Sequence, residues 1–524
     1  MSEQPLSSRY AIALSALFLF ATVLISGAMG VYVLSDRDLR QAFTFARVAQ
    51  EIDLIYPGQV NWDRLFDDAM DGMIGRLDRF STYHEASQFG RIREDMSGSY
   101  TGIGVSVIQH QRGLLIMSVR EDGPAAEAGL MSGDIIIGVD STPLSGLGIE
   151  ASTEMLRGPE DTGVRVSVFR PTEADTLEIE MTRRKIDFIR VPYAGFTADS
   201  MIYVRLLDFD AGATREVERA LDSLLDDKSV RPQGIILDLR DNPGGLFNEA
   251  YETANLFLEG GQFIVGTRGR SRWNEEKHFS SGHDMTGGLP MAVLVDNGSA
   301  SSAEIAAGAL KQLGRAILVG DTTFGKGLVQ GFTRFLDGSA LRLTISRYYL
   351  EGGVFLNEFD SVLNDTGHGL PPDRVVNFVE RESFPRALDY SLLLNRFTNE
   401  HTDEIIAASA EFSLDDSWLD RFEAFAKEEG FDYASPLRRA AESLYDLAQL
   451  ESKLPATVKA AEQLVSRARS QESDRFRKYS KYIKMRLKEI AYERKFGTRE
   501  AYARAIVPER EDIRIAAELL KAQP

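Results

Sequence analysis

At 524 residues, 43% hydrophobic and 27% charged, the chain has the makeup of a globular protein and the length of about three or four domains. Its formal net charge of −19 repels phosphate backbones and argues against nucleic acid as a partner. It has no cysteine, which excludes disulfides, thiolate nucleophiles and Cys-ligated metals. Its histidines (His84, His110, His278, His283, His368 and His401) show no HExxH spacing and read as surface or loop residues.

Residues 10–35 carry no charge and are rich in Ala, Leu, Phe, Ile and Val. A run of that length spans a hydrocarbon core of about 30 Å as a helix. Ser26, Gly27 and Ala28 also suit a signal-peptide cut. The reading adopted is a signal-anchor over 1–36, with the remainder exported.

From Leu39 to about Ser97 apolar residues recur every three or four positions, which predicts helix over 37–97. Between Tyr100 and Ile186 the pattern turns to short alternating strands such as GVSVIQ and VRVSVFR, with one helical stretch at Ile149–Leu156. A β-rich module is expected over 98–186. From Val191 to about Glu380 apolar strands (IYVRLL, GIILDLR, MAVLVD, AILVG) alternate with amphipathic helices, which predicts an α/β domain over 187–380. Residues 381–524 read as almost wholly helical.

The chemistry concentrates in PMAVLVDNGSASSAEIAAGALKQLG. An apolar strand enters a turn of small residues and opens into a helix, the geometry that lifts a nucleophile above a sheet and aims helix N-terminal amides at it. Ser299, Ser301 and Ser302 are the candidate nucleophiles, although serine is also a common helix cap. No histidine stands in a motif-like context to serve as base. GDTTFGKGLVQ offers Lys326 instead, among small uncharged neighbours. A lysine acts as a general base only where burial depresses its pKa from about 10.4 toward 7–8.

NGSASSAEI followed by GDTTFGKGLVQ resembles the core of the carboxyl-terminal processing peptidases, tail-specific serine peptidases that carry a PDZ domain and use a Ser/Lys dyad. The resemblance implies Ser301 as nucleophile, Lys326 as base and Gln330, one helical turn beyond it, as a supporting polar residue, a mechanism that needs no metal and no cofactor. DLRDNPGG resembles the family's glycine turn, so the oxyanion amides fall on Gly244 or Gly245 and on Ser302, which stands where alanine is common. GHGLPPD resembles the family's closing motif. TGIGV with GPAAEAGLMSGDIIIGVDSTPLSG looks like a PDZ domain, which implies peptide binding at Gly102, Ile103 and Gly104. Arg157 matches a family position that links PDZ placement to the active site.

Together these readings imply a multidomain protein: transmembrane helix, helical lead-in, PDZ domain, crotonase-like α/β peptidase core and α-helical C-terminal region. The implied partners are protein or peptide substrates with accessible C-terminal tails and, through the N-terminal helix, the membrane. The resemblance implies a bacterial cell envelope, with an inner-membrane anchor and the catalytic part periplasmic or extracytoplasmic. The C-terminal helices are expected to pack on the core or on a second subunit, which leaves a homo-oligomer open. The rival readings are a catalytically silent PDZ scaffold at the membrane and a crotonase-like acyl-CoA enzyme.

Overall fold

Runs of uninterrupted apolar residues are stable only when covered on both faces. In the computed structural model Gly234–Asp238 and Met291–Val295 lie at the centre of a six-stranded sheet. Tyr193–Phe196 runs antiparallel to Met201–Arg205. Gly234–Asp238, Met291–Val295, Ile317–Gly320 and Arg374–Val375 then follow in parallel. The register sets Leu237 beside Val293 and Val293 beside Leu318.

Alternate side chains therefore leave opposite faces of this sheet. Ile235, Leu237, Val293 and Leu318 join a core with the helices Ala213–Leu225, Phe247–Asn255 and Ser302–Gln312. Tyr203, Ile236, Ala292 and Leu294 instead pack with Ile513, Ala516, Ala517 and Leu520 of the last helix, Glu511–Lys521. The C-terminal region does pack on the core, and its final helix covers one face of the sheet.

The structure describes residues 36–522 apart from 121, 171–174, 271–274, 355–356, 360–364, 410–413, 452–454 and 473. The apolar run 10–35, read as a membrane anchor, lies outside the described residues. Among those described, no helix is long and apolar enough to cross a membrane.

The chain divides into two units, one ending at Gly75 and one beginning at Arg76. The first contains the helices Arg37–Ile55 and Trp62–Ile74, opened by the side-chain caps Asp36 and Asn61. The helical expectation fails beyond them at Thr82–His84, which is a strand, before helix resumes at Ala86–Ser97. Thr82–His84 pairs with Ala340–Tyr349, a partner far away in sequence that local periodicity cannot register.

In the second unit a six-stranded antiparallel sheet from Val105–His110 to Asp175–Thr182 forms the β-rich module, with the helix Ile149–Leu156 packed on its core. A further antiparallel sheet joins Phe263–Gly269, Lys277–Phe279, Leu328–Arg334 and Ala340–Tyr349. The C-terminal helices have their own core around Phe384, Phe397, Trp418, Phe422 and Leu487.

Candidate active site

The strand Met291–Val295 delivers the chain to a turn in which two of the three candidate serines are already committed. Ser299 is fully buried, and its Oγ donates to Leu239 O at 2.7 Å. Ser302 Oγ donates to Gly245 O at 3.0 Å. Ser301 remains half-buried at the N-cap of the helix Ser302–Gln312, with φ 54° and ψ −114°. A positive φ costs a non-glycine residue of order 1–3 kcal/mol and persists only where the surroundings over-determine it.

The surroundings here centre on Glu304, whose carboxylate is fully buried one turn into the helix. Its Oε2 accepts from the amides of Ser301 at 2.9 Å and Lys326 at 2.8 Å. Its Oε1 accepts from the Gly325 amide at 2.7 Å and from the Thr323 hydroxyl. On another side the Tyr348 hydroxyl donates to Lys326 O at 2.7 Å and to Ser301 O at 3.3 Å. Two side chains thus clamp the Ser301 and Lys326 backbones to one another. No hydrogen bond joins Ser301 Oγ to Lys326 Nζ among the described residues.

Lys326 Nζ lies 4.9 Å from the centre of the Phe80 ring. Burial lowers its pKa below the ordinary value, and the nearby Arg342 guanidinium lowers it further, against an opposing pull from Glu304. Gln330 does not lie on a helical turn. It stands in the strand Leu328–Arg334, next to a register shift between Val329 and Gln330, and its Nε2 is buried without a hydrogen-bond partner among the described residues.

The glycine turn meets the serine turn edge to edge. At Gly244 (φ 98°) a Cβ would come within 2.8 Å of Ser301 Cβ and 2.9 Å of Ser302 N, so only glycine allows the approach. The Gly244 amide is spent on Asn242 Oδ1 at 2.9 Å, whereas the amides of Gly245 and Ser302 have no partner among the described hydrogen bonds. Ala300 N donates to Asn242 O at 2.9 Å and ties the two turns together.

Gly102, Ile103, Gly104 and Arg157 line a single cavity of about 980 Å³. Its rim also includes Arg494 and Arg499 from the C-terminal helices. The strand Val105–His110 is at the edge of its sheet, open on the side away from its partner. Arg157 Nη1 lies 3.4 Å from Glu94 Oε2, on the helix Ala86–Ser97. From the same helix the Phe89 ring lies 5.4 Å from that of Phe332, two residues beyond Gln330.

Glu304, Tyr348, Arg342 and Phe80 were not among the residues singled out from sequence. Glu304 had a signal: Ser301-x-x-Glu304 is a capping-box pattern. The other three reach the site through pairing of distant strands and turns, which no local pattern announces.

The family model described as "Peptidase family S41" matches residues 200–373, and one described as "PDZ domain" matches 101–181. A third, "Probable PDZ-protease, C-terminal helical domain", matches 388–520. The Carboxy-terminal-processing protease of Bartonella bacilliformis is 30% identical over 368 residues, covering 69% of this chain and 82% of its own. The Carboxy-terminal processing protease CtpA of Bacillus subtilis is 31% identical over 310 residues, or 59% of this chain and 65% of its own. Among solved structures, the photosystem II D1 C-terminal processing protease aligns at 26% identity over 62% of this chain and 84% of its own, with a TM-score of 0.37.

Proposed function

Since the chain belongs to peptidase family S41, the carboxy-terminal processing proteases, and is a serine-type peptidase with a PDZ domain, we propose that it cuts with a Ser301–Lys326 dyad fed by tail capture in its PDZ groove. The observation that carries the dyad is the clamp of Glu304 and Tyr348, which holds nucleophile and base to one another while Lys326 sits in a niche that favours its neutral form.

In this reading the substrate's terminal carboxylate docks against the Gly102–Ile103–Gly104 loop, and its last residues extend the sheet at Val105–His110. Arg157, through Glu94 and the Phe89–Phe332 contact, ties the placement of that module to the strand that carries Gln330. Neutral Lys326 takes the Ser301 proton, and Oγ attacks the scissile carbonyl carbon. The oxyanion is held by the amides of Gly245 and Ser302, while Gly244 lets the turns approach. Protonated Lys326 then gives its proton to the leaving amine. A water activated by the same lysine releases the acyl group. Gln330, whose Nε2 is buried without a hydrogen-bond partner among the described residues, is assigned the supporting role toward Lys326. The uncharged run 10–35 anchors the chain to the bacterial inner membrane, with the catalytic part on the outer side.

The test is degradation of a loosely folded protein with an apolar C-terminal tail by wild type, Ser301→Ala and Lys326→Ala. Both variants are expected to lose turnover by more than ~10³-fold while retaining tail binding. Cleavage that survives Lys326→Ala would rule out the dyad. Tail binding without cleavage by wild type would favour the scaffold reading.

A further inference from the structure

Behind the glycine turn, on the face of the sheet covered by the C-terminal helix, lies a cluster of buried charge that the proposed mechanism does not use. Asp238 ends the strand Gly234–Asp238 and has no exposed surface. It accepts from Arg240 Nε at 2.8 Å, from Arg205 Nη1 at 2.9 Å and from the Tyr203 hydroxyl at 2.6 Å. The Arg240 guanidinium, itself 5% exposed, reaches across to Asp512, in the first turn of the helix Glu511–Lys521. Asp512 is 3% exposed and also accepts from Arg510 Nε at 3.1 Å, and Arg510 in turn pairs with Glu380.

Packing does not require this arrangement. Ile513, Ala516, Ala517 and Leu520 already dock the helix by apolar contact. A buried ion pair is weak evidence for stability, because desolvation offsets most of its attraction. What the charges specify is position. Arg240 is fixed at both ends of its fork, and the chain immediately after it is the oxyanion turn. Asp241 N donates to Asp296 Oδ1 at 2.9 Å, Asn242 Nδ2 donates to Leu206 O at 3.0 Å, and Gly244 N returns to Asn242 Oδ1.

We infer that Asp512 is a positioning residue for the oxyanion turn: it fixes Arg240 and thereby sets where the Gly245 amide stands relative to Ser301. The last helix of the chain is then a working part of the peptidase site as well as its cover. The inference rests on the reading of the Gly245 and Ser302 amides as the oxyanion donors. A displaced donor is felt in the transition state and little in tail binding, so the signature is a loss confined to kcat.

The experiment uses the full-length enzyme and the loosely folded, apolar-tailed substrate. Asp512→Asn is near-isosteric and is expected to lower kcat by about 10–100-fold, with KM and tail binding (measured in a Ser301→Ala background) within twofold. The double variant Arg240→Gln/Asp512→Asn should be no slower than Arg240→Gln alone, because the residues act as one unit. Leu520→Ala opens a cavity under the same helix, and should lower the melting temperature while keeping kcat within twofold. Wild-type kcat in Asp512→Asn would overturn the inference, as would a kcat loss in Leu520→Ala equal to that in Asp512→Asn. Should Asp512→Asn fail to fold, Arg240→Lys keeps the charge but loses the planar fork that spans two carboxylates. It should show the same kcat-only loss, and wild-type kcat there overturns the inference equally. Cleavage that survives Ser301→Ala would remove the underlying reading, whereas cleavage lost there but intact in Asp512→Asn removes this inference alone.

Discussion

Two fully buried carboxylates flank the proposed catalytic turns, and they are held in opposite ways. Burial alone would push the Asp238 carboxyl up, but the Arg205 and Arg240 guanidiniums overrule it and hold the group far below its ordinary value of 3.8. Glu304, in front, is met by the amides of Ser301, Gly325 and Lys326 and the Thr323 hydroxyl, none of them charged. Burial wins there, and its pKa is raised above the ordinary 4.5 despite those hydrogen bonds.

The signs of the pH response therefore differ. The contribution of Asp238 to stability is present above about pH 3.8 and is lost only as pH falls through its much lower folded value. The contribution of Glu304 is fullest below about pH 4.5 and is lost as pH rises through its raised value. An ion cage makes the rear of the site indifferent to neutral pH. A neutral-donor hub gathers backbone without cancelling its own charge, and so leaves Glu304 able to act on Lys326.

The largest expected effect tests the cage. Asp238→Asn leaves Arg205 buried without its carboxylate partner and Arg240 with Asp512 alone, and breaking a buried pair in this way costs about 3–5 kcal/mol. Thermal or denaturant unfolding of the peptidase core should show that loss. A change below about 1 kcal/mol would mean that the guanidiniums find water or other partners, and that Asp238 and Glu304 are less different than their contacts imply.

Next in size is Glu304→Gln, which keeps the shape but turns one acceptor into a donor facing the amides of Ser301, Gly325 or Lys326. Misplacement of about 1 Å at a reacting centre can cost ~10²-fold, so kcat should fall by about that factor with KM little changed. Stability should suffer less than in Asp238→Asn, because no buried cation is left alone. Unchanged kcat would show that Tyr348 suffices to hold the two backbones.

These hubs differ in how far the sequence announces them. The strand–turn–helix around Ser301 is legible because an uninterrupted apolar run, a cluster of small residues and a helical period follow one another within about 20 residues. Glu304 is legible as a capping residue but not as the ligand of Gly325 and Lys326, which lie 21 and 22 residues further on. Leu328–Arg334 carries no clear two-residue alternation. In Ala340–Tyr349 Leu341, Leu343 and Ile345 do alternate with Arg342, Thr344 and Ser346, but that pattern announces a strand and not its pairing with the distant Thr82–His84. Asp512 and Arg240 are 272 residues apart, and only the closed sheet brings them together.

The smallest expected effect isolates the tuning of Lys326. Arg342 sits on the strand Ala340–Tyr349, with its Nε donating to Phe80 O at 3.1 Å, and after burial it is the next influence keeping the lysine neutral. Asp78 pulls the lysine the other way and Arg79 adds to the push, so Arg342→Gln removes one contribution among several. Losing a cation lets Lys326 hold its proton to higher pH. Its neutral fraction at a given pH falls, and the limb of kcat/KM that rises with pH must move alkaline. At pH 7 the variant should be slower by a few-fold, and at pH values above the limb it should return to the wild-type plateau, which separates tuning from damage. A rate lowered equally at all pH values would mean that Arg342 serves the site by holding the Phe80 carbonyl. A limb that does not move would place the titrating base somewhere other than Lys326.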